Sequence, residues 1–214
     1  MRRAEGATLP RTERPKPRPK KGSAYDIVAI ASSAGGVTAM TNLVAALPAD
    51  FGAIVLCVQH LDPRHRSLMA EVIGRRSKLP VVQAADAMKV EKSHVYLAPP
   101  DRHMLVNGDG TISLTQTELV NFVRPSADLM FESVAAAYGE RAIAVVLTGA
   151  GKDGSMGVTA IKKRGGTVVA QDEASSEFFG MPSATIRTGI VDFVLPLDEI
   201  PNALVTLLGG QSGA

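Results

Sequence analysis

The chain has no tryptophan, a single cysteine and an aromatic share of only 4% over 214 residues. A core with so few rings must be filled by Val, Ile, Leu, Ala and Met, and the 45% hydrophobic share is enough for one sizeable α/β domain. One cysteine, Cys57, excludes an internal disulfide and a cysteine-based metal site, and suits a reducing compartment. No apolar run approaches the roughly 20 residues that span a bilayer, and the N-terminus lacks the apolar segment of a secretory signal. These absences point to a cytoplasmic protein without a transmembrane segment.

The strongest excess of charge of one sign is confined to the first residues. Residues 1–22 carry eight Lys/Arg against Glu5 and Glu13, a balance of +6, which leaves −4 for the remainder of a chain whose net charge is +2. With Pro10, Pro15, Pro17 and Pro19 and no periodic apolar residues, residues 1–23 read as a disordered basic tail, and residues 24–210 as one domain. Such a tail suits an acidic partner or serves solubility. No aromatic is interleaved with its charges, so nucleic-acid binding is not expected.

What is present is a recurrence of short apolar bursts with helical stretches between them, the pattern of a doubly wound, mainly parallel, Rossmann-like sheet with helices on both faces. Strands are expected at 26–31, 53–59, 142–147, 167–170 and 191–194, and helices at 37–47, 66–76, 126–138, 154–163, 182–187 and 197–208. The middle of the chain, with short strands at 81–83 and 95–98 and a β-hairpin at 104–114, reads as β-rich and antiparallel. Ser126 follows Pro125 directly and is expected to cap its helix, with Asp128 and Glu132 complementing the dipole.

Three expected strand ends carry chemistry. The first apolar run stops on Ser32-Ser33-Ala34-Gly35-Gly36, the second on Gln59-His60, and a late one on Thr148-Gly149-Ala150-Gly151-Lys152-Asp153-Gly154. In an open parallel sheet these ends form one rim. A serine there has an imidazole to take its proton and a carboxylate to fix the imidazole's tautomer. The order Ser…His…Asp is not that of the α/β-hydrolases, so their connectivity is not implied. Plainer readings stand beside this one. Ser-Ala-Gly-Gly is also a tight turn with a helix cap, His60 a hydrogen-bonded structural histidine, and Asp153 a cap for the helix that follows it. His65 reads as a solvated loop residue, and His94 and His103 lack the further ligands a metal site needs. A rival reading comes from Gly149 to Gly154, a literal G-x-G-x-x-G with Asp172 about 20 residues on, the fingerprint of a dinucleotide-binding oxidoreductase. Against it, the charge of Asp153 would face a pyrophosphate.

Six blocks in order over about residues 24–208 resemble the catalytic domain of the chemotaxis protein-glutamate methylesterases, the CheB family. They are Ile30 to Gly36, Gln59-His60, Tyr96 to Met104, Arg124-Pro125-Ser126-Ala127-Asp128, Leu147 to Gly154, and Ala170 to Ser175 with Phe179-Gly180-Met181-Pro182. The resemblance implies Ser33 as nucleophile, in preference to Ser32, His60 as general base and Asp153 as orienting acid. It implies a substrate and oxyanion lining from Ala34, Gly35, Ala150, Gly151, Arg124 and Met181, and neither metal nor cofactor. The implied reaction is hydrolysis of glutamate γ-methyl esters on the cytoplasmic helices of chemoreceptors with release of methanol, and deamidation of receptor glutamines in some members. Many members carry an N-terminal receiver domain. Here the basic tail stands in its place, so control is expected to come from a separate response regulator or receptor-complex protein. Ala31 stands where the family commonly has Gly, and Ala150 where it often has Met, a change on the oxyanion side. A non-catalytic module on the same fold remains a competing class.

Overall fold

The computed structural model describes residues 25–61 and 67–209. The basic tail and His65 lie outside the described residues. Seven strands form one parallel sheet in the order β3-β4-β2-β1-β7-β8-β9. They are β1 (Ile27–Ser32), β2 (Ile54–Gln59), β3 (Val81–Gln83), β4 (Val95–Leu97), β7 (Ala142–Val146), β8 (Thr167–Gln171) and β9 (Phe193–Leu195). A separate antiparallel hairpin is made by β5 (His103–Val106) and β6 (Ile112–Thr115). The α/β expectation holds with one correction. β3 and β4 are not antiparallel but extend the parallel sheet beyond β2.

Strand residues alternate between two apolar layers, as the period of two in a strand requires. Val28, Ile30, Val55 and Cys57 face α1 (Gly36–Ala46), α2 (Met69–Gly74) and α6 (Ile200–Leu207), whereas Ile27, Ala29, Leu56 and Val58 face α3 (Ala127–Tyr138), α4 (Gly157–Lys163) and Met181 of α5 (Gly180–Ile186). Both faces are covered, which is why the central strands are apolar throughout. Phe131 of α3 is among the largest fully buried side chains, and truncating such a residue to Ala costs about 3–5 kcal/mol. Burial drives the lone thiol of Cys57 strongly upward in pKa, so it behaves as a core residue.

β1 pairs with β2 on one side and β7 on the other. The chain order diverges at this point, and the crevice above the carboxyl ends of β1, β2 and β7 is where open α/β sheets bind ligands. Ser33, His60 and the loop after Val146 all emerge there. Among the described residues no helix is long and apolar enough to cross a membrane.

Candidate active site

Parallel register puts the nucleophile turn and the histidine side by side. Ser32 pairs with Gln59 as the last residues of β1 and β2, so Ser33 and His60 are the next residues on adjacent strands. Gln59 fastens them together: its Nε2 donates to the carbonyls of Ser33 at 2.7 Å and His60 at 3.0 Å, while its Oε1 accepts from the Ser32 hydroxyl at 2.6 Å. Ser32 is fully buried and committed to that bond. The hydroxyl of half-buried Ser33 is committed to no hydrogen bond among the described residues. The turn is not a serine helix cap either. The N-cap of α1 is Gly35, held at φ 74°, with no side-chain cap bond.

The third member arrives from β7. His60 Nε2 and Asp153 Oδ2 lie 2.8 Å apart, with His60 12% exposed and Asp153 3%. Burial works to raise the pKa of Asp153, but the bonds from His60, the Ala127 amide and Ser126 outweigh it and hold the carboxyl below its usual value. An ionised Asp153 can only accept. Nε2 of His60 therefore carries the proton, and Nδ1 keeps the lone pair that a serine hydroxyl needs.

Asp153 does not cap the helix that follows it. Its Oδ2 accepts from the Ala127 amide at 2.6 Å, and its Oδ1 from the Ser126 hydroxyl at 2.8 Å and the Asp128 amide at 3.3 Å, all at the start of α3. Asp128 returns the exchange. Its Oδ1 accepts from the amides of Met156 at 3.0 Å and Gly157 at 2.7 Å at the start of α4. Each helix is thus capped by a carboxylate from the other segment. Ser126 sits at the N-cap of α3 without a side-chain cap bond, because its hydroxyl is spent on Asp153. The Asp128 pKa is raised, through burial first and repulsion from Asp153 after it.

Behind Ser126 lies fully buried His103. The Ser126 amide donates to its Nδ1 at 3.1 Å, and its Nε2 lies 3.0 Å from the Glu118 carbonyl. A donor on one side and an acceptor on the other fix the neutral tautomer with the proton on Nε2. His103 thereby holds the residue that holds Asp153.

The remaining expected residues divide by position. Ser33 donates its amide to the Thr148 carbonyl at 3.0 Å, while the amides of Ala34 and Gly35 donate to no described residue. A Cβ on Gly149 would meet Met181 Sδ at 2.4 Å and Ser33 Cβ at 2.9 Å, so Met181 and Gly149 wall the serine closely and only glycine fits there. Ala150 and Gly151 are exposed at the mouth of the same loop. Arg124 is different: Nε reaches Asp101 Oδ1 at 2.9 Å, and Nη2 and Nη1 bond Asp101 and the Thr117 carbonyl. Its guanidinium fastens the loop of Asp101 to the Thr117 segment, with three of its five N–H donors spent on them. Gln59, Ser126, His103 and Asp128 were not singled out as site residues from sequence, although all four lie within the resembling blocks. Among the described residues no cluster of His, Cys, Asp and Glu is arranged to hold a metal ion.

The dinucleotide reading fails on the same geometry. The helix-start amides that would take a pyrophosphate are those of Met156 and Gly157, already bonded to Asp128.

The family model for CheB methylesterase matches residues 28–204. The chain belongs to the CheB methylesterase family. A CheB relative from Pyrococcus horikoshii, described as protein-glutamate methylesterase/protein-glutamine glutaminase, is 41% identical over 181 residues, covering 83% of this chain and 49% of that protein. One from Myxococcus xanthus, with the same description, is 40% identical and covers 87% of this chain and 53% of its own length. The chain spans about half the length of these two relatives. A relative from Leptospira interrogans, 36% identical, is covered over 95% of its length. The crystal structure of the Thermotoga maritima CheB methylesterase catalytic domain superposes with TM-score 0.82 at 37% identity, covering 88% of this chain and all of that one.

Proposed function

We propose that this chain is a serine esterase that hydrolyses glutamate γ-methyl esters, with Ser33 as nucleophile, His60 as general base and Asp153 as the carboxylate that orients the imidazole. The observation that carries the reading is the 2.8 Å contact of His60 Nε2 with a buried, ionised Asp153, beside a Ser33 hydroxyl that bonds no described residue.

In this mechanism His60 Nδ1 takes the Ser33 proton as Oγ attacks the ester carbonyl. The carbonyl oxygen becomes an oxyanion, and the amides of Ala34 and Gly35, which have no partner among the described residues, are its donors with the Ala150-Gly151 loop opposite. Asp153 stabilises the imidazolium. The tetrahedral adduct collapses as His60 returns the proton to the leaving methoxide, releasing methanol and leaving an acyl-serine. A water deprotonated by His60 then attacks the acyl-serine, restoring Ser33 and liberating the glutamate carboxylate. Replacing methoxide by ammonia as leaving group gives glutamine deamidation by the same steps. Met181 holds Gly149 against the serine and keeps the pocket wall in place.

The substrate we propose is the methylated cytoplasmic helices of chemoreceptors, with the protein acting in the cytoplasm under a separate response regulator or receptor-complex protein. The descriptions of the relatives support the chemistry. Methanol release from a methylated receptor fragment tests it. Wild type should release methanol, and Ser33→Ala and His60→Ala should each lose at least about 10³-fold in rate. Undiminished release by either variant sinks the assignment.

A further inference from the structure

Between β6 and α3 the chain makes a tight excursion that none of these roles uses. Val120 and Val123 form an isolated antiparallel bridge, each amide donating to the other's carbonyl at 3.2 and 3.0 Å. Asn121 and Phe122 are therefore the two central residues of a two-residue hairpin turn. Both are left-handed, at φ 50° and 65°, as in a type I′ turn, whose second central residue is by preference glycine. Asparagine tolerates this region, whereas a bulky phenylalanine there is a steric outlier. Packing does not compensate, because Phe122 is 95% exposed.

The turn is tied to the site. Asn121 Nδ2 donates to Asp128 Oδ2 at 2.8 Å and reaches Asp153 Oδ1 at 3.4 Å. The Met156 amide bonds the other oxygen of Asp128, so the segments bearing Phe122 and Met156 are fastened to one carboxylate. Met156 is 68% exposed and Leu119 53%. An apolar rim thus stands beside the residue that orients His60. A backbone held in a disfavoured conformation, with an unpacked ring at the edge of a reaction site, marks a side chain retained for contact with something outside the fold.

We propose that Phe122 is a substrate-docking residue, packing with Met156 and Leu119 against an apolar side chain of the polypeptide that carries the reacting glutamyl group. The proposal rests on the acyl-transfer reading of Ser33. The occupant is the substrate polypeptide because the rim is fastened to Asp128 and Asp153, the second of which orients His60. In a helical substrate, a side chain three or four residues from the glutamyl group lies on the same face and within reach.

Two synthetic helical peptides test it, each with one glutamate γ-methyl ester and either leucine or serine at the positions three and four residues away. Wild type should show a KM about fivefold or more lower for the leucine peptide, the yield of burying part of one apolar side chain. Phe122→Gly removes the ring and satisfies the turn, so it should erase that preference. Its turnover of p-nitrophenyl acetate and its rate of labelling by a fluorophosphonate should stay within about twofold of wild type, and its Tm should be no lower. A leucine preference that survives in Phe122→Gly overturns the proposal. So does a drop in Tm or in fluorophosphonate labelling, which would assign the ring a structural role, or conversion of a wild-type dimer to a monomer, which would assign the rim to a second copy. If wild type hydrolyses neither peptide, the esterase reading fails separately. Fluorescence anisotropy with the same two peptides then decides the docking proposal, and a wild type without leucine preference in Kd overturns it.

Discussion

Asp153 accepts from the imidazole of His60, the hydroxyl of Ser126 and the first amides of α3. Asp153→Asn replaces one acceptor oxygen by a donor that faces groups which are themselves donors. The variant should fold but lose about 10⁴-fold in kcat, because the imidazole loses its tautomer, and about 1–2 kcal/mol of stability with the helix cap. Thermal unfolding and methanol release measured on one preparation check both. A variant that kept its rate while losing stability would leave Asp153 only a capping role. At this scale the sequence revealed the three candidate side chains, since each stands at the end of an apolar run. It did not reveal their supports. Ser126 after Pro125 reads as a helix cap, but Asp153, 27 residues away along the chain, occupies that place, and a local pattern carries no trace of so distant a partner. Gln59 looks like the polar end of a strand, and only the register of β1 against β2 makes its carboxamide a clamp on both Ser33 and His60.

The element that positions Asp153 is the pair α3 and α4, each started by a carboxylate from the other segment. Asp128 is the half of this exchange that lies outside the proposed chemistry. Asp128→Ala leaves the amides of Met156 and Gly157 unpaired in a buried setting, at a cost of about 1–3 kcal/mol. The loop carrying Asp153 should loosen with them, so hydrolysis should slow although no reacting group has changed. Hydrogen exchange at the start of α4 together with the rate tests this, and unchanged protection at Gly157 with an unchanged rate contradicts it. Element positions were largely legible, because β-branched apolar runs separated by helical periods leave few alternatives. The orientation of β3 and β4 was not. Strands of three residues carry too little alternation to show whether one face or both are buried, and their closeness to the β5–β6 hairpin suggested an antiparallel neighbour.

For the molecule as a whole, acid sensitivity follows from the carboxylates. Asp26, at the start of β1, bonds Lys92 at 2.6 Å and also pairs with Arg141. Burial alone would raise its pKa, yet the two cations together hold it below the usual value. A carboxyl depressed in the folded state contributes its stability above the unfolded pKa of about 3.9, and that contribution is lost as pH falls through the lower folded value. Asp26→Asn should therefore cost about 0.5–1 kcal/mol at pH 7, a deficit that disappears as the pH falls through the lowered folded value. Urea midpoints across that range give the comparison, and an equal deficit at both ends contradicts the linkage. The mainly parallel sheet with helices on both faces and the family membership match what the sequence led one to expect, since they depend on patterns spread over the whole chain. The measurement that tests the central claim most directly is mass-spectrometric mapping of a fluorophosphonate adduct on the folded protein. The adduct should sit on Ser33 and disappear in His60→Ala. An adduct on Ser32, or none on a folded wild type, would contradict the account.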